Sequence, residues 1–193
     1  MEIQLIPVKT REELRAWLLE NCNTEKSCWV IASMTPTPGT LLYLDAVEEC
    51  LCFGWIDGVK KKYSDTQTAQ RLSPRSRNSS WTELNKQRVR RLERLRLMRE
   101  EGRKVLPDMN INSFVIDPII MKRLKEEAQV YENFIKFPDL YQRIRIDNIQ
   151  SYKNQPELFN YRLDKFIENT RQNKMYGQWN DNGRLTILPA NRV

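Results

Sequence analysis

The sequence predicts an α+β protein: a small antiparallel sheet packed with helices, followed by a helical C-terminal region. Three observations carry that expectation. A helix-start signature precedes a short β-rich apolar run, two turn signals bracket stretches that read as paired strands, and beyond residue 106 the apolar residues recur at helical spacing. The chain divides at residues 1–105, an α+β core, and 106–193, a helical region packed on it. A length of 193 residues suits one core with a helical appendage better than two separately folded domains.

The elements follow in order. Thr10 and Glu13 match a capping box, and Leu14, Trp17 and Leu18 continue at helical spacing to about Asn21. SCWVIASM, residues 27–34, is apolar and β-rich without a helical period and reads as a strand; TPTPGT, residues 35–40, reads as a loop. From Tyr43, the residues Val47, Cys50 and Leu51 outline a short helix ending at Gly54. Asp57-Gly58 and Ser64-Asp65 are turn signals, so residues 55–63 and 67–73 are expected to pair as antiparallel strands until Pro74 ends the ladder.

Ser80 and Glu83 match a second capping box and open a long basic helix that runs to Gly102. Its stripe is Trp81, Leu84, Leu92, Leu95 and Met98, with Arg88 in the middle and most other arginines outward. Residues 106–116 read as a connector, and Asp117-Pro118 as N-cap and first residue of a third, longer helix. Two more helices follow. One starts at Pro138, with Tyr141, Ile144, Asn148 or Ile149, and Tyr152 on its stripe; the other starts at Pro156, with Phe159, Leu163, Phe166, Ile167 and Thr170. Residues 177–193 either fray or add a last strand.

The composition, 40% hydrophobic and 30% charged with six glycines, is that of an ordinary globular protein. No apolar run approaches the roughly 18 residues of a membrane span, and the N-terminus lacks a basic and an apolar leader region, so a cytoplasmic protein with no membrane partner is expected. Cys22, Cys28, Cys50 and Cys52 have no framework spacing and read as reduced thiols, with Cys50 as core filler. With no histidine in the chain, neither a metal site nor a cofactor is expected, and Ser/His or Cys/His nucleophile pairs are excluded. The net charge of +7 is concentrated: residues 60–104 hold 15 Lys and Arg against 5 Asp and Glu. Such a segment suits a nucleic-acid backbone, a phosphorylated small molecule or an acidic protein, or simply a solvated helix face.

LCFGWIDG at residues 51–58, RLSPR at 71–75 and SSWTELN at 79–85 resemble, in that order, the YdeI or OmpD-associated family, also called bacteriocin-protection proteins. The C-terminal half is similar to that family's helical tail around residues 137–141 and 162–171. The chain departs after the first strand, where family members typically carry a pair of lysines and this one reads Ala32, Ser33, Met34. The resemblance implies a role in bacteriocin protection or envelope stress and no established reaction.

If the hairpin pairs and the helix starts at Ser80, then Trp55, Asp57, Lys60, Arg71, Arg75, Ser79, Trp81, Asn85 and Arg88 are candidates for one ligand-binding hollow. Arginine forks and helix-start amides suit an anion, Trp55 or Trp81 a stacked ring. Asp57 orients Arg71 or Arg75 in that scheme, or simply fastens the turn, with the tryptophans in the core. The first expectation is thus a protein that binds a nucleotide, phosphorylated metabolite or nucleic-acid end. Two alternatives stand beside it: a hydrolase or transferase with Asp57 as general base, and an interaction module that uses basic helix 80–101. The oligomeric state stays open.

Overall fold

The computed structural model describes residues 5–186. The α+β class is what it shows, a four-stranded sheet with helices and then a helical C-terminal region. By backbone contacts the chain forms two compact units. The first comprises the described residues up to Ser80 together with Arg88–Pro107, and the second comprises Trp81–Gln87 and the described residues from Asp108.

In the first unit, α1 (Arg11–Asn21) begins at the expected capping box: Thr10 Oγ1 accepts from the Glu13 amide at 3.2 Å, and the Glu13 carboxylate accepts from the Thr10 amide at 3.2 Å. Strand β1 (Cys28–Ser33) follows. Residues 35–40 loop back to β2 (Leu41–Leu42), a two-residue strand that sequence reasoning missed. It runs parallel to β1, pairing Leu41 with Ala32, so the sheet is mixed rather than purely antiparallel. Helix α2 (Tyr43–Cys52) stops where expected, since Gly54 has φ +70°. A Cβ there would also sit 2.7 Å from the Glu101 carbonyl oxygen, so glycine is required twice over.

Strands β3 (Trp55–Lys62) and β4 (Thr68–Pro74) form the expected antiparallel pair, and the sheet order is β2-β1-β4-β3. Asp57-Gly58 is not a turn. It lies inside β3, at a bulge between Asp57 and Lys60, and the hairpin turns at residues 64–66 instead. Buried Gln70 spans the bulge, its Nε2 donating to the Gly58 carbonyl at 2.8 Å and to the Arg71 carbonyl at 3.1 Å.

The long helix expected over 80–101 is also corrected. Helix α3 (Glu83–Arg94) starts three residues late, with Thr82 Oγ1 accepting from the Asn85 amide at 3.2 Å in the place assigned to Ser80. It ends at Arg94, the chain turns with Arg96 at φ +58°, and a short α4 (Glu100–Arg103) follows. Gly102 is therefore no helix stop. A Cβ there would meet the Cys52 carbonyl oxygen at 2.3 Å, so glycine lets α4 lie directly on the end of α2.

Two adjacent carboxylates fasten these helices. Glu48 and Glu49 of α2 are 0% exposed. Arg11 Nε donates to Glu49 at 2.6 Å and Arg11 Nη1 to Glu48 at 2.5 Å; Arg15 reaches Glu49 at 2.8 Å and Arg91 reaches Glu48 at 2.8 Å. Arg15 Nη2 also donates to the Leu97 carbonyl at 2.7 Å, tying the segment after α3 into the same network. Arg91, on a helix whose arginines mostly read as outward, points inward.

The second unit is built on α5 (Pro118–Lys125), α6 (Ala128–Lys136), α7 (Asp139–Gln150) and α8 (Pro156–Arg171). Asp117 caps α5, accepting from the Ile119 amide at 2.8 Å. The expected third helix is two, separated at Glu126 and Glu127. The buried residues of α8 are the five read from its stripe, and α7 buries Tyr141, Ile144, Ile146 and Ile149. Residues 177–186 form bends and turns rather than a strand, and Trp179 packs on the core, its ring 5.5 Å from that of Tyr141; residues 187–193 of the expected tail lie outside the described residues.

Removing one member of a buried ion network leaves the others desolvated and unpaired, at a cost of about 3–5 kcal/mol. We expect Glu49→Ala to lower the unfolding free energy in urea by that amount. A loss under about 1 kcal/mol, the value of an exposed pair, would contradict the network's role.

Candidate functional site

The pleat decides which of the candidate residues can meet. Successive strand residues point to opposite faces, and residues paired across strands share one. The register pairs Leu72 with both Asp57 and Cys28, and Gln70 with both Lys60 and Val30. These residues therefore occupy one face, the one on which Trp55 and α2 pack. Without the bulge, Asp57 and Lys60, three apart, would point to opposite faces; with it, both reach α2.

Tyr43, the first residue of α2, receives them. Its hydroxyl donates to Asp57 Oδ2 at 2.5 Å, and the Lys60 ammonium lies 4.0 Å from the centre of its ring. Burial, and then the hydrogen bond and charge of Asp57, push the Tyr43 phenol well above its ordinary value, while Arg88 pulls it down. Arg75 is 6% exposed; burial pushes its pKa down and the charge of Asp57 opposes that shift. Its Nη1 donates to Ser79 Oγ at 3.2 Å and to the Ser80 carbonyl at 3.1 Å, which folds the polar loop 76–80 against the strand end. The structure thus brings Asp57, Lys60 and Arg88 to Tyr43, while Arg75, which holds Ser79, feels the charge of Asp57.

Two candidates fall elsewhere, and two others lie in the second unit. Trp55 offers no face for stacking: it is 1% exposed, its Nε1 donates to the Cys22 carbonyl at 3.1 Å, and Trp17 meets it edge-on at 5.7 Å. Arg71 neighbours Leu72 in β4 and so points to the opposite face of the sheet from Asp57. Trp81 and Asn85 belong to the second unit.

Beside Tyr43 opens a cavity of about 290 Å³, near the lower end of small-ligand sites. Ser33, Thr37, Thr40, Tyr43, Lys60 and Gln70 are among its lining residues, and of the described residues that line it Lys60 is the one charged group. Lys60 also donates to Met34 Sδ at 3.6 Å. Sequence reasoning missed Tyr43 as the organising residue and the hydroxyls of loop 35–40 as a wall; the threonines of TPTPGT were the signal.

The four cysteines are free and buried. Burial above all pushes the Cys28 and Cys52 thiols up to about 12, and Cys50 well above its ordinary value, so none of these three is a thiolate nucleophile at neutral pH. Among the described residues no group of three or more His, Cys, Asp or Glu is placed to hold a metal ion, and no helix is long and apolar enough to cross a membrane.

Residues 6–105 match the family model described as a domain of unknown function (DUF8412), and residues 113–173 match the one described as bacteriocin-protection, YdeI or OmpD-associated. Comparison with curated proteins and with solved structures gave no match. The expected family resemblance holds over the second stretch, whereas the motifs at 51–85 that suggested it lie within the first.

A hydrogen bond to a charged group contributes about 1.5–3 kcal/mol. We expect Tyr43→Phe and Asp57→Asn each to destabilise the protein in urea, with a coupling energy above about 1 kcal/mol in the double-mutant cycle. Additive effects would show that the contact contributes nothing.

Proposed function

The chain belongs to the family of that N-terminal domain and carries a bacteriocin-protection, YdeI or OmpD-associated domain after it, and from this premise we propose that it binds a small phosphorylated metabolite. The carrying observation is the cavity beside Tyr43, where one ammonium faces a wall of hydroxyl and amide groups and no described lining residue is a carboxylate. An ammonium steadied by an aromatic ring presents its charge to the cavity, and neutral donors around it complete the coordination of a phosphate without competing charge. A volume of about 290 Å³ takes a ligand the size of a sugar phosphate.

The geometry supports binding over catalysis by Asp57. That carboxylate is outside the cavity lining and already accepts the Tyr43 proton, so it lacks the reach a general base needs. The basic-helix reading is supported less well, because Arg91 is engaged by Glu48 and Lys86 by Glu83. In this reading the protein is cytoplasmic and ligand capture serves stress or bacteriocin tolerance.

The test is thermal denaturation with inorganic phosphate, a hexose phosphate and a nucleoside monophosphate. At a hundred times Kd a ligand stabilises by about 2.7 kcal/mol, a shift of several degrees. We expect the hexose phosphate to raise Tm in the wild type and not in Lys60→Ala, whose side chain is exposed. No shift with any of the three, or one that survives Lys60→Ala, overturns the proposal.

A further inference from the structure

The face of the sheet turned away from α2 carries a second arrangement, independent of the cavity. Strand register builds it in rows: Trp29 of β1 lies directly across from Arg71 of β4, which the bulge residues Gly58 and Val59 of β3 oppose, and in the next row Ile31, Ala69 and Lys61 line up. Trp29 is half-buried rather than sealed, and the Lys61 ammonium lies 5.6 Å from its ring centre, reaching over Ala69 from two strands away. The ring is thus approached from the open side by a solvated cation. In the middle Ala69 is small and covered by its neighbours, Gly58 has no side chain, and exposed Val59 adds an apolar contact beside them. Of the residues that β1, β3 and β4 place on this face none is acidic, and Lys61 and Arg71 are both cationic.

An aromatic ring with one exposed cation over it, which a base can displace toward its phosphate, and a second cation directly across the strand pair, on a face without carboxylates, has the chemistry that receives a base and its neighbouring phosphates. A duplex presents its bases edge-on and stacked, and offers nothing to the Trp29 ring. We propose that this sheet face binds single-stranded nucleic acid, with Trp29 stacking a base and Lys61 and Arg71 contacting the backbone. The surplus of positive charge in the chain, +7 overall, favours the same partner. The arrangement gives no hydrogen-bond readout of base edges, so binding is tolerant of sequence.

The test is fluorescence anisotropy of the full chain with labelled 12-residue oligo-dT and oligo-U and with a duplex of equal length, over a salt series. We expect both single strands to bind more tightly than the duplex, with affinity falling as salt rises. Stacking on one aromatic corresponds to roughly a 5- to 150-fold change in affinity, and Trp29→Ala is expected to lose that much while Trp29→Phe retains most of it. Arg71→Gln and Lys61→Gln, which remove only charge, are each expected to lower the salt slope by about 0.7, the contribution of one single-strand phosphate. These two variants carry the test if Trp29→Ala does not fold. Failure of both single strands to bind, equal binding of the duplex, or binding indifferent to Arg71 and Lys61 overturns the proposal.

Discussion

Two neighbouring glutamates with no exposure set the frame of the first unit. Adjacent residues on a helix point about 100° apart, so Glu48 and Glu49 need partners in two directions at once. Arg11 spans both, with Arg15 and Arg91 completing the outer sides. Helix-borne charges satisfied in this way fix α2 against rotation about its own axis as well as against displacement. Networks of this kind add little net stability over a hydrophobic core, because desolvation consumes most of the attraction, but they penalise every packing that leaves a charge unmatched. The orientation of Tyr43, five residues before Glu48, follows from that lock. A modest rotation of α2 would take its hydroxyl away from Asp57 and its ring away from Lys60.

The bulge in β3 is the second constraint, and it acts by parity. One extra residue, Gly58 and Val59 together opposing Arg71 of β4, restores Lys60 to the face that Asp57 occupies, while Arg71 remains on the other. Gln70 stabilises the irregularity from beneath, giving its amide protons to carbonyls that the ladder has left unpaired. One hairpin thereby supplies groups to two unrelated surfaces. The Asp57 carboxylate, set among so many cations, acts locally. It holds the Tyr43 hydroxyl and opposes the desolvation of Arg75.

Where the sequence was legible, the signal was local. The Thr10 capping box, the glycine after α2, the Asp117-Pro118 start and the α8 stripe each depend on residues within one or two turns, and each is found where it was read. What was misread depends on partners far along the chain. Asp57-Gly58 has the composition of a turn and becomes a bulge only because β4 pairs across it. The stripe through Arg88 continues past Arg94 on paper, yet the Arg15 contact at Leu97 and the fit of Gly102 onto Cys52 bend the chain out of the helix. Trp55 could not be sorted into wall or core without knowing that Trp17 and the Cys22 carbonyl meet it. The absent lysine pair at Ala32, Ser33 and Met34 has a plain reason as well, since the first hundred residues match a different family model from the one whose pattern was expected.

The basic segment shows how a charge count is transformed by folding. Fifteen cations between residues 60 and 104 read as one positive surface, but several are engaged by partners, some buried and some at the surface. Arg91 goes to a buried glutamate, Arg103 to Glu93 and Glu100, Lys62 to Asp65, and Arg75 to the loop it anchors. The hairpin keeps Lys60 on one face and Lys61 and Arg71 on the other, each beside an aromatic ring or directly across from one. A cation beside a ring gains an electrostatic contact that a cation on a free helix surface lacks, while its charge stays exposed. Position next to Tyr43 and Trp29, more than the sum of positive residues, is therefore what sets these three side chains apart from the rest of the basic segment.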